Sequence, residues 1–329
     1  MDINLFTAAM RTEFLRSSQA VAEPAPVDKI ITTVPSTARI ENYSWMTPAP
    51  GISRYVGRRR KAQLDAIKYT VENREYDGTL TVPIRDIEDD QVGGYKIRMA
   101  DLTKKAGAPF RSQLVLSHLA NGGTATCFDG SAFFATSHTI GSAGSAPYGF
   151  GGGGNALTYD AASNDGVTHR LIMLYHGGDL KPLMFQNRKP AQFNTDAGTP
   201  ASIKAKEADY WIDLEAAAAF GYWWDAVRVT ITDTPTLTEL FAIIDGCRQC
   251  FRRFQLPKAL DTDPNEYPHE QTQFGADNTT IVCSTGLEQL LNHALNEDRV
   301  GVSVAGSTGG ITSNIYYKKF GLIATNRLD

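Results

Sequence analysis

Cys247-Arg-Gln-Cys250 has the spacing at which two thiols can share a metal ion or cycle as a redox pair. Zinc would require two further Cys or His at short spacing, and none stands nearby. The pair also lies inside a helical pattern, so it reads as two half-buried helix cysteines. Ser137 and His138 are adjacent, a nucleophile beside a base, but no Gly-x-Ser-x-Gly elbow surrounds them. The six histidines are scattered, with no His-x-His or His-x-x-x-His spacing to suggest a metal. Asp86, Glu88, Asp89 and Asp90 could gather a cation. They suit the start of a following helix better, because the helix dipole favours negative charge there. The glycine-rich stretch 141–154 lacks the Gly-Lys-Ser/Thr ending of a phosphate loop and reads as a flexible connection. No catalytic, cofactor or metal constellation emerges, and the expectation is a protein that is not an enzyme.

Residues that could meet a macromolecule come next. Arg58, Arg59, Arg60 and Lys61 form the one dense basic run. It can face an acidic patch on another subunit, or DNA, or only solvent. Tyr210, Trp211, Phe220, Tyr222, Trp223 and Trp224 could stack bases, yet only Arg228 lies among the aromatics, so core or subunit interface is the better reading. The whole chain of 329 residues carries 32 Lys+Arg against 36 Asp+Glu, a net charge of -4. That balance does not suit a dedicated nucleic-acid binder, though it permits a wall that borders DNA. No apolar run approaches the roughly 18 residues of a membrane span, and the first residues lack a signal peptide's basic start and apolar core. With 4 Cys the chain is no disulfide scaffold, and the expectation is a cytoplasmic product with reduced thiols.

The elements that must position these residues follow from periodicity. Residues 1–46 show a short helix near 3–16, then extended chain with Pro24, Pro26 and Pro35, a segment expected to be ordered by neighbouring surfaces. Between residues 47 and 84, Ile67, Tyr69 and Val71, then Leu80, Val82 and Ile84, recur with period two. With Asn73 and Asp77-Gly78 as turn residues, this predicts a β-hairpin whose apolar face rests on another chain, since a lone ribbon is marginal in water. Tyr95 to Asn121 reads as a long helix that Pro109 kinks or splits. Thr236-x-x-Glu239 and Thr285-x-x-Glu288 are capping boxes opening two helices. Strands at 280–283 and within 315–325 complete an α/β module over 233–329. Its loops, 257–278 and about 299–314, are polar and read as exposed.

Three stretches in this order resemble the Mu-type prophage major head subunit family. One is Tyr55-Val-Gly-Arg-Arg-Arg60 with Asn73-Arg-Glu-Tyr-Asp-Gly-Thr79 and Ile84-Arg-Asp-Ile-Glu-Asp-Asp90. Another is Cys127-Phe-Asp-Gly-Ser-Ala-Phe-Phe134 followed by His138. The last is Lys181-Pro-Leu-Met-Phe-Gln-Asn-Arg188, leading into Phe220-Gly-Tyr-Trp223. The resemblance spans roughly residues 40–300 and fades in the N-terminal arm, the glycine loop and 257–278. It implies an α+β chain with the Hong Kong 97 phage-type capsid fold. Its expected parts are an N-terminal arm (1–46), a β-hairpin E-loop (47–84), a peripheral domain (85–232) with a spine helix near 95–121, and an axial domain (233–329).

The function so implied is a major capsid protein that self-assembles into pentamers and hexamers of an icosahedral shell around double-stranded phage DNA. Expected partners are further copies of itself, portal, scaffold and decoration proteins, and DNA held without sequence specificity; no membrane is involved. Localisation would be the virion, after assembly in the host cytoplasm, and nothing in the first residues reads as a removable scaffolding segment. Candidate subunit-interface residues are Arg58, Arg59, Arg60, Lys61, Ile67, Tyr69 and Val71. Two alternatives stay open: an encapsulin-like compartment of the same fold, and an α/β enzyme whose 141–154 loop takes a phosphorylated ligand.

Overall fold

The computed structural model of the chain describes residues 2–20, 24–46, 68–89, 92–139, 146–254, 278–302 and 310–329. In chain order the first half holds α1 (Ile3–Ala20), β1 (Ile31–Pro35), β2 (Ile40–Asn42), β3 (Thr70–Glu72), β4 (Arg74–Pro83), α2 (Ile84–Glu88), α3 (Val92–Lys105) and α4 (Ala108–Ala120). Then come β5 (Gly151–Gly153), β6 (Ala156–Asp160), β7 (Thr168–Tyr175), β8 (Leu183–Thr195), α5 (Pro200–Ala205), β9 (Glu207–Phe220) and β10 (Ala226–Thr232). The last stretch holds α6 (Leu237–Arg253), β11 (Thr279–Cys283), α7 (Glu288–Asn296), β12 (Arg299–Val302), β13 (Gly310–Ser313) and β14 (Gly321–Ala324).

A four-stranded sheet runs β1-β8-β9-β4, with β1 parallel to β8 and the other pairs antiparallel. Along β9, Ala208, Tyr210, Ile212 and Leu214 are buried while Asp209, Trp211 and Asp213 alternate with them. Opposite them β8 slips register between Asn187 and Gln192. Pro190 lies in that interval and has no N–H for the ladder, which accounts for the bulge. On the buried face sits α1, whose Phe6, Met10 and Phe14 recur every four residues and pack with Val82, Met99, Tyr210 and Ile212. The expected N-terminal helix is present, runs on to Ala20, and is ordered by the neighbouring surface of its own sheet. Helical spacing of three aromatic or thioether side chains supplied enough apolar surface to dock it.

The predicted hairpin is corrected. Tyr69 to Val71 and Leu80 to Ile84 do not pair with each other: β3 pairs with β2, and β4 pairs with β9. Asp77-Gly78 is not a turn but mid-strand, with Gly78 opposite Ile212. A Cβ at Gly78 would lie 2.7 Å from Leu102 Cδ1, so glycine serves the close approach of α3. The ladder Ile40↔Glu72 to Asn42↔Thr70 instead makes β2 and β3 the two ends of one excursion of the chain. Most of that excursion, including Arg58, Arg59, Arg60, Lys61 and Ile67, lies outside the described residues.

The long helix divides where Pro109 demands it. α3 stops at Lys105, and α4 restarts with Pro109 in its first turn, where a missing N–H costs nothing. Of the acidic cluster, Asp86 lies in α2 and accepts a hydrogen bond from the Tyr95 hydroxyl at 2.5 Å, clamping α2 to the start of α3.

A six-stranded sheet runs β14-β11-β7-β10-β6-β5. β11 is buried throughout, and β7 and β10 nearly so, as central strands covered on both faces must be. α6 packs on β10 and α7 on β14. This sheet joins strands from either side of residue 233, so the α/β module of 233–329 shares its core with residues 151–232. Thr236 caps α6 as predicted, its side chain accepting from Glu239 N–H while the Glu239 carboxylate accepts from Thr236 N–H. Thr285 does not cap α7; its N–H and hydroxyl both donate to the Asp329 side-chain carboxylate, at 2.9 and 2.6 Å.

Candidate functional site

Cys247 and Cys250 are buried on the inner face of α6, and burial pushes the Cys247 thiol well above its ordinary pKa. They pack as core side chains. The aromatic stretch 209–232 is also core: Tyr210, Phe220, Trp223 and Trp224 are all buried. Tyr69 and Val71 belong there too. The Tyr69 hydroxyl accepts from the Phe220 N–H at 3.0 Å, and Val71 joins the same apolar cluster. Both side chains are largely buried within their own chain, and a part for them at a subunit interface is a proposal.

The polar constellation that sequence reasoning missed lies in the irregular segment after α4. There the Cys127 amide donates to the Ser131 carbonyl and the Gly130 amide to the Cys127 carbonyl, folding a tight turn around Asp129. Oδ1 of Asp129 accepts from the Ser131 amide at 2.9 Å and from Cys127 Sγ at 3.0 Å. Oδ2 accepts from the Thr139 amide at 3.2 Å and faces His138 Nδ1 at 2.9 Å. The side chains of Asp129 and His138 are both 0% exposed.

Asn155, also fully buried, completes the arrangement. Its Nδ2 donates to the carbonyls of Phe133 and Trp223 at 2.8 and 3.0 Å. Its Oδ1 accepts from Ala135 N–H at 2.9 Å and faces His138 Nε2 at 3.2 Å. Two carbonyls on one side fix which atom is oxygen, so His138 meets an acceptor at each ring nitrogen. The ring stacks on Trp223, with centroids 4.0 Å apart and planes 2° apart. Gly154 seals the cluster. It has φ +60, and a Cβ there would lie 2.2 Å from the Ala135 carbonyl oxygen. The glycine stretch therefore buys close packing against this loop; of its residues, 141–145 lie outside the described ones.

What the arrangement can do chemically is limited by where its protons sit. Burial would raise the Asp129 pKa, but hydrogen bonds from His138, Cys127 and Ser131 outweigh it and bring it down to about 2. Burial, then the hydrogen bond to Asp129, pushes the Cys127 thiol far up, so it is a donor to the carboxylate and not a nucleophile. Both His138 nitrogens are occupied, and the neighbouring exposed Ser137 has no base. The cluster is a buried polar knot with three metal-ligand side chains, not an acyl-transfer site. Its signal in the sequence was a Cys-x-Asp turn with a His nine residues on, in a stretch otherwise apolar enough to be buried. An open groove of about 710 Å³, lined by Cys127, Phe128 and Gly130 on one side and Tyr69, Val71 and His118 on the other, approaches it.

The chain matches the model of the family described as Mu-like prophage major head subunit gpT over residues 3–247. It is 29% identical over 207 residues to the Mu-like prophage FluMu major head subunit of Haemophilus influenzae, covering 61% of this chain and 64% of that protein. It is 26% identical over 295 residues to the major capsid protein of Escherichia phage Mu, covering 88% of this chain and 89% of that one. The procapsid subunit of bacteriophage JBD30 superposes with a TM-score of 0.67 at 23% identity, over 100% of both chains. The α+β architecture described above is thus the tailed-phage capsid fold of the Hong Kong 97 type, and the match begins at residue 3, well upstream of where the sequence motifs fade. With a family match covering most of its length, this chain belongs to the Mu-like prophage major head subunit family, whose members are structural proteins of the phage head.

Proposed function

We propose that this chain builds the wall of a tailed-phage head, assembling as pentamers and hexamers into an icosahedral shell that encloses double-stranded DNA. The observation that carries this reading is the family match over residues 3–247. The partners are further copies of the chain, with portal, scaffold and decoration proteins, and the shell forms in the host cytoplasm. Among the described residues no helix is long and apolar enough to cross a membrane. A net charge of -4 lets the wall border DNA without gripping it. The chain between Asn42 and Thr70 leaves and returns through the β2–β3 ladder, and its Arg58, Arg59, Arg60 and Lys61 meet acidic groups of a neighbouring subunit. Negative-stain electron microscopy of the purified protein, alone and co-expressed with its scaffold, tests the reading. Closed shells or capsomers are expected; a chain that stays monomeric under both conditions refutes it.

A further inference from the structure

We propose that Cys127, Asp129 and His138 form a binding site for a zinc-class divalent cation, with Asn155 holding His138 from behind. The three side chains offer ligand atoms that all lie within 4.8 Å of one another, and among the described residues this is the one such group of His, Cys, Asp and Glu. A thiolate, an imidazole and a carboxylate are the donors a borderline-soft ion such as zinc takes, at about 2.0–2.3 Å each. Magnesium and calcium, which want oxygen, do not suit the sulfur or the ring nitrogen.

The groups behind the three side chains are arranged as the outer shell of a metal site is. His138 Nε2 faces Asn155 Oδ1, which holds the proton on that nitrogen and leaves Nδ1 for the ion. The amides of Ser131 and Thr139 orient the Asp129 carboxylate, and Trp223 fixes the plane of the imidazole. All three ligands belong to one stretch of twelve residues, 127–138, so closing on an ion moves side chains and not secondary structure. Three protein donors leave a fourth tetrahedral position for a water or for the second carboxylate oxygen. Cys127 also lines the open groove, which gives an ion its way in.

The charges balance. When the cation binds, the Cys127 thiol proton and any proton on His138 Nδ1 leave to solvent, and the sulfur, ring-nitrogen and carboxylate lone pairs bond to the ion. One dication then faces one thiolate and one carboxylate, so the occupied cluster is neutral and escapes the cost of an uncompensated charge. Cys247, Cys250 and Cys283 are equally buried but join no such ligand group among the described residues. The consequence for the subunit is a cross-link inside an irregular segment, formed whether or not shells assemble.

Cobalt(II) titration of the purified, chelator-treated, reduced chain is the test, with elemental analysis of untreated protein beside it. Expected are one ion per chain, a thiolate-to-cobalt charge-transfer absorption, and its loss on adding zinc. Cys127→Ser should abolish that absorption, and Asn155→Ala should weaken binding about 10–100-fold. Cys250→Ala should change neither, and circular dichroism checks that each variant folds. If the wild-type chain gives no thiolate–cobalt absorption, the proposal is wrong, whatever the variants do. An unchanged absorption in folded Cys127→Ser would overturn it equally.

Discussion

His118 near the end of α4 stacks on Phe220 with ring centroids 4.1 Å apart, and its buried Nε2 has no hydrogen-bond partner among the described residues. Burial, reinforced by the positive charge of Arg74, pulls its pKa down to about 4. The unfolded chain, with an ordinary histidine near 6.5, binds this proton first. The folded state is therefore at no disadvantage above that pH and loses stability as pH falls toward 4. His118→Phe, which keeps the stack and removes the titration, should resist acid better than wild type by about 2 kcal/mol at pH 4.5 and differ little in acid dependence above pH 7. Urea unfolding of the dissociated subunit at several pH values measures this; parallel stability curves would contradict it. Glycine positions divide just as sharply. Gly154→Ala should cost at least about 2–3 kcal/mol, since the left-handed backbone and the contact with the Ala135 carbonyl both resist a Cβ. Gly166→Ala, at φ +75 but with nothing within 4 Å, should cost only about 1 kcal/mol. Equal melting temperatures for the two variants would show that the Gly154 contact is not rigid.

At the scale of elements, α1 is the expected N-terminal helix, and the structure adds what it packs against. Phe6 is fully buried between Tyr95 and Tyr210, at centroid distances of 6.0 and 5.7 Å. Phe6→Ala should therefore destabilise the isolated subunit by about 3–5 kcal/mol, as loss of a core aromatic does. An unchanged unfolding midpoint would show that α1 adds nothing to the stability of this core. The helices that could be read from sequence were those with local signals: the reciprocal cap of α6, the apolar stripe of α7, and the break at Pro109. Strand partners could not be read, because β-pairing is decided by residues far apart in the chain. Val71 and Val82 alternate correctly in both, yet one strand joins β2 and the other β9. Asp77-Gly78 reads as a turn from sequence because Asp-Gly usually makes one; the arrival of Leu102 from α3 explains a glycine inside a strand. The Cys127, Asp129, His138 and Asn155 knot escaped for the same reason, its fourth member lying beyond the glycine stretch.

The whole molecule works only in copies, and two features belong to that scale. Arg58, Arg59, Arg60 and Lys61 lie outside the described residues, and the proposal for them rests on their density in the sequence. An exposed ion pair contributes only about 0–1 kcal/mol and is screened by salt, but every subunit of a shell repeats it. Arg59→Glu with Arg60→Glu should lower the yield of shells in sedimentation without changing the subunit's circular dichroism, and a normal yield would show the run to be a solvated cluster. The second feature is the ribbon formed by β12 and β13, which pairs Arg299–Val302 with Gly310–Ser313 and is joined to neither larger sheet. Two strands alone are marginal in water, so a ribbon of this kind gains from a further surface to rest on. It occupies the ends of the stretch, about 299–314, that reads from sequence as an exposed loop, and we propose that this stretch lines the centre of the capsomer. Packing against symmetry-related ribbons there would supply that surface. Amide hydrogen exchange at Val300, Gly301, Ile311 and Thr312 should then be fast in the free subunit and slow by at least about tenfold in assembled particles, while β7 and β11, central in their sheet, exchange slowly in both. Equal exchange of the ribbon before and after assembly would place it away from any subunit contact.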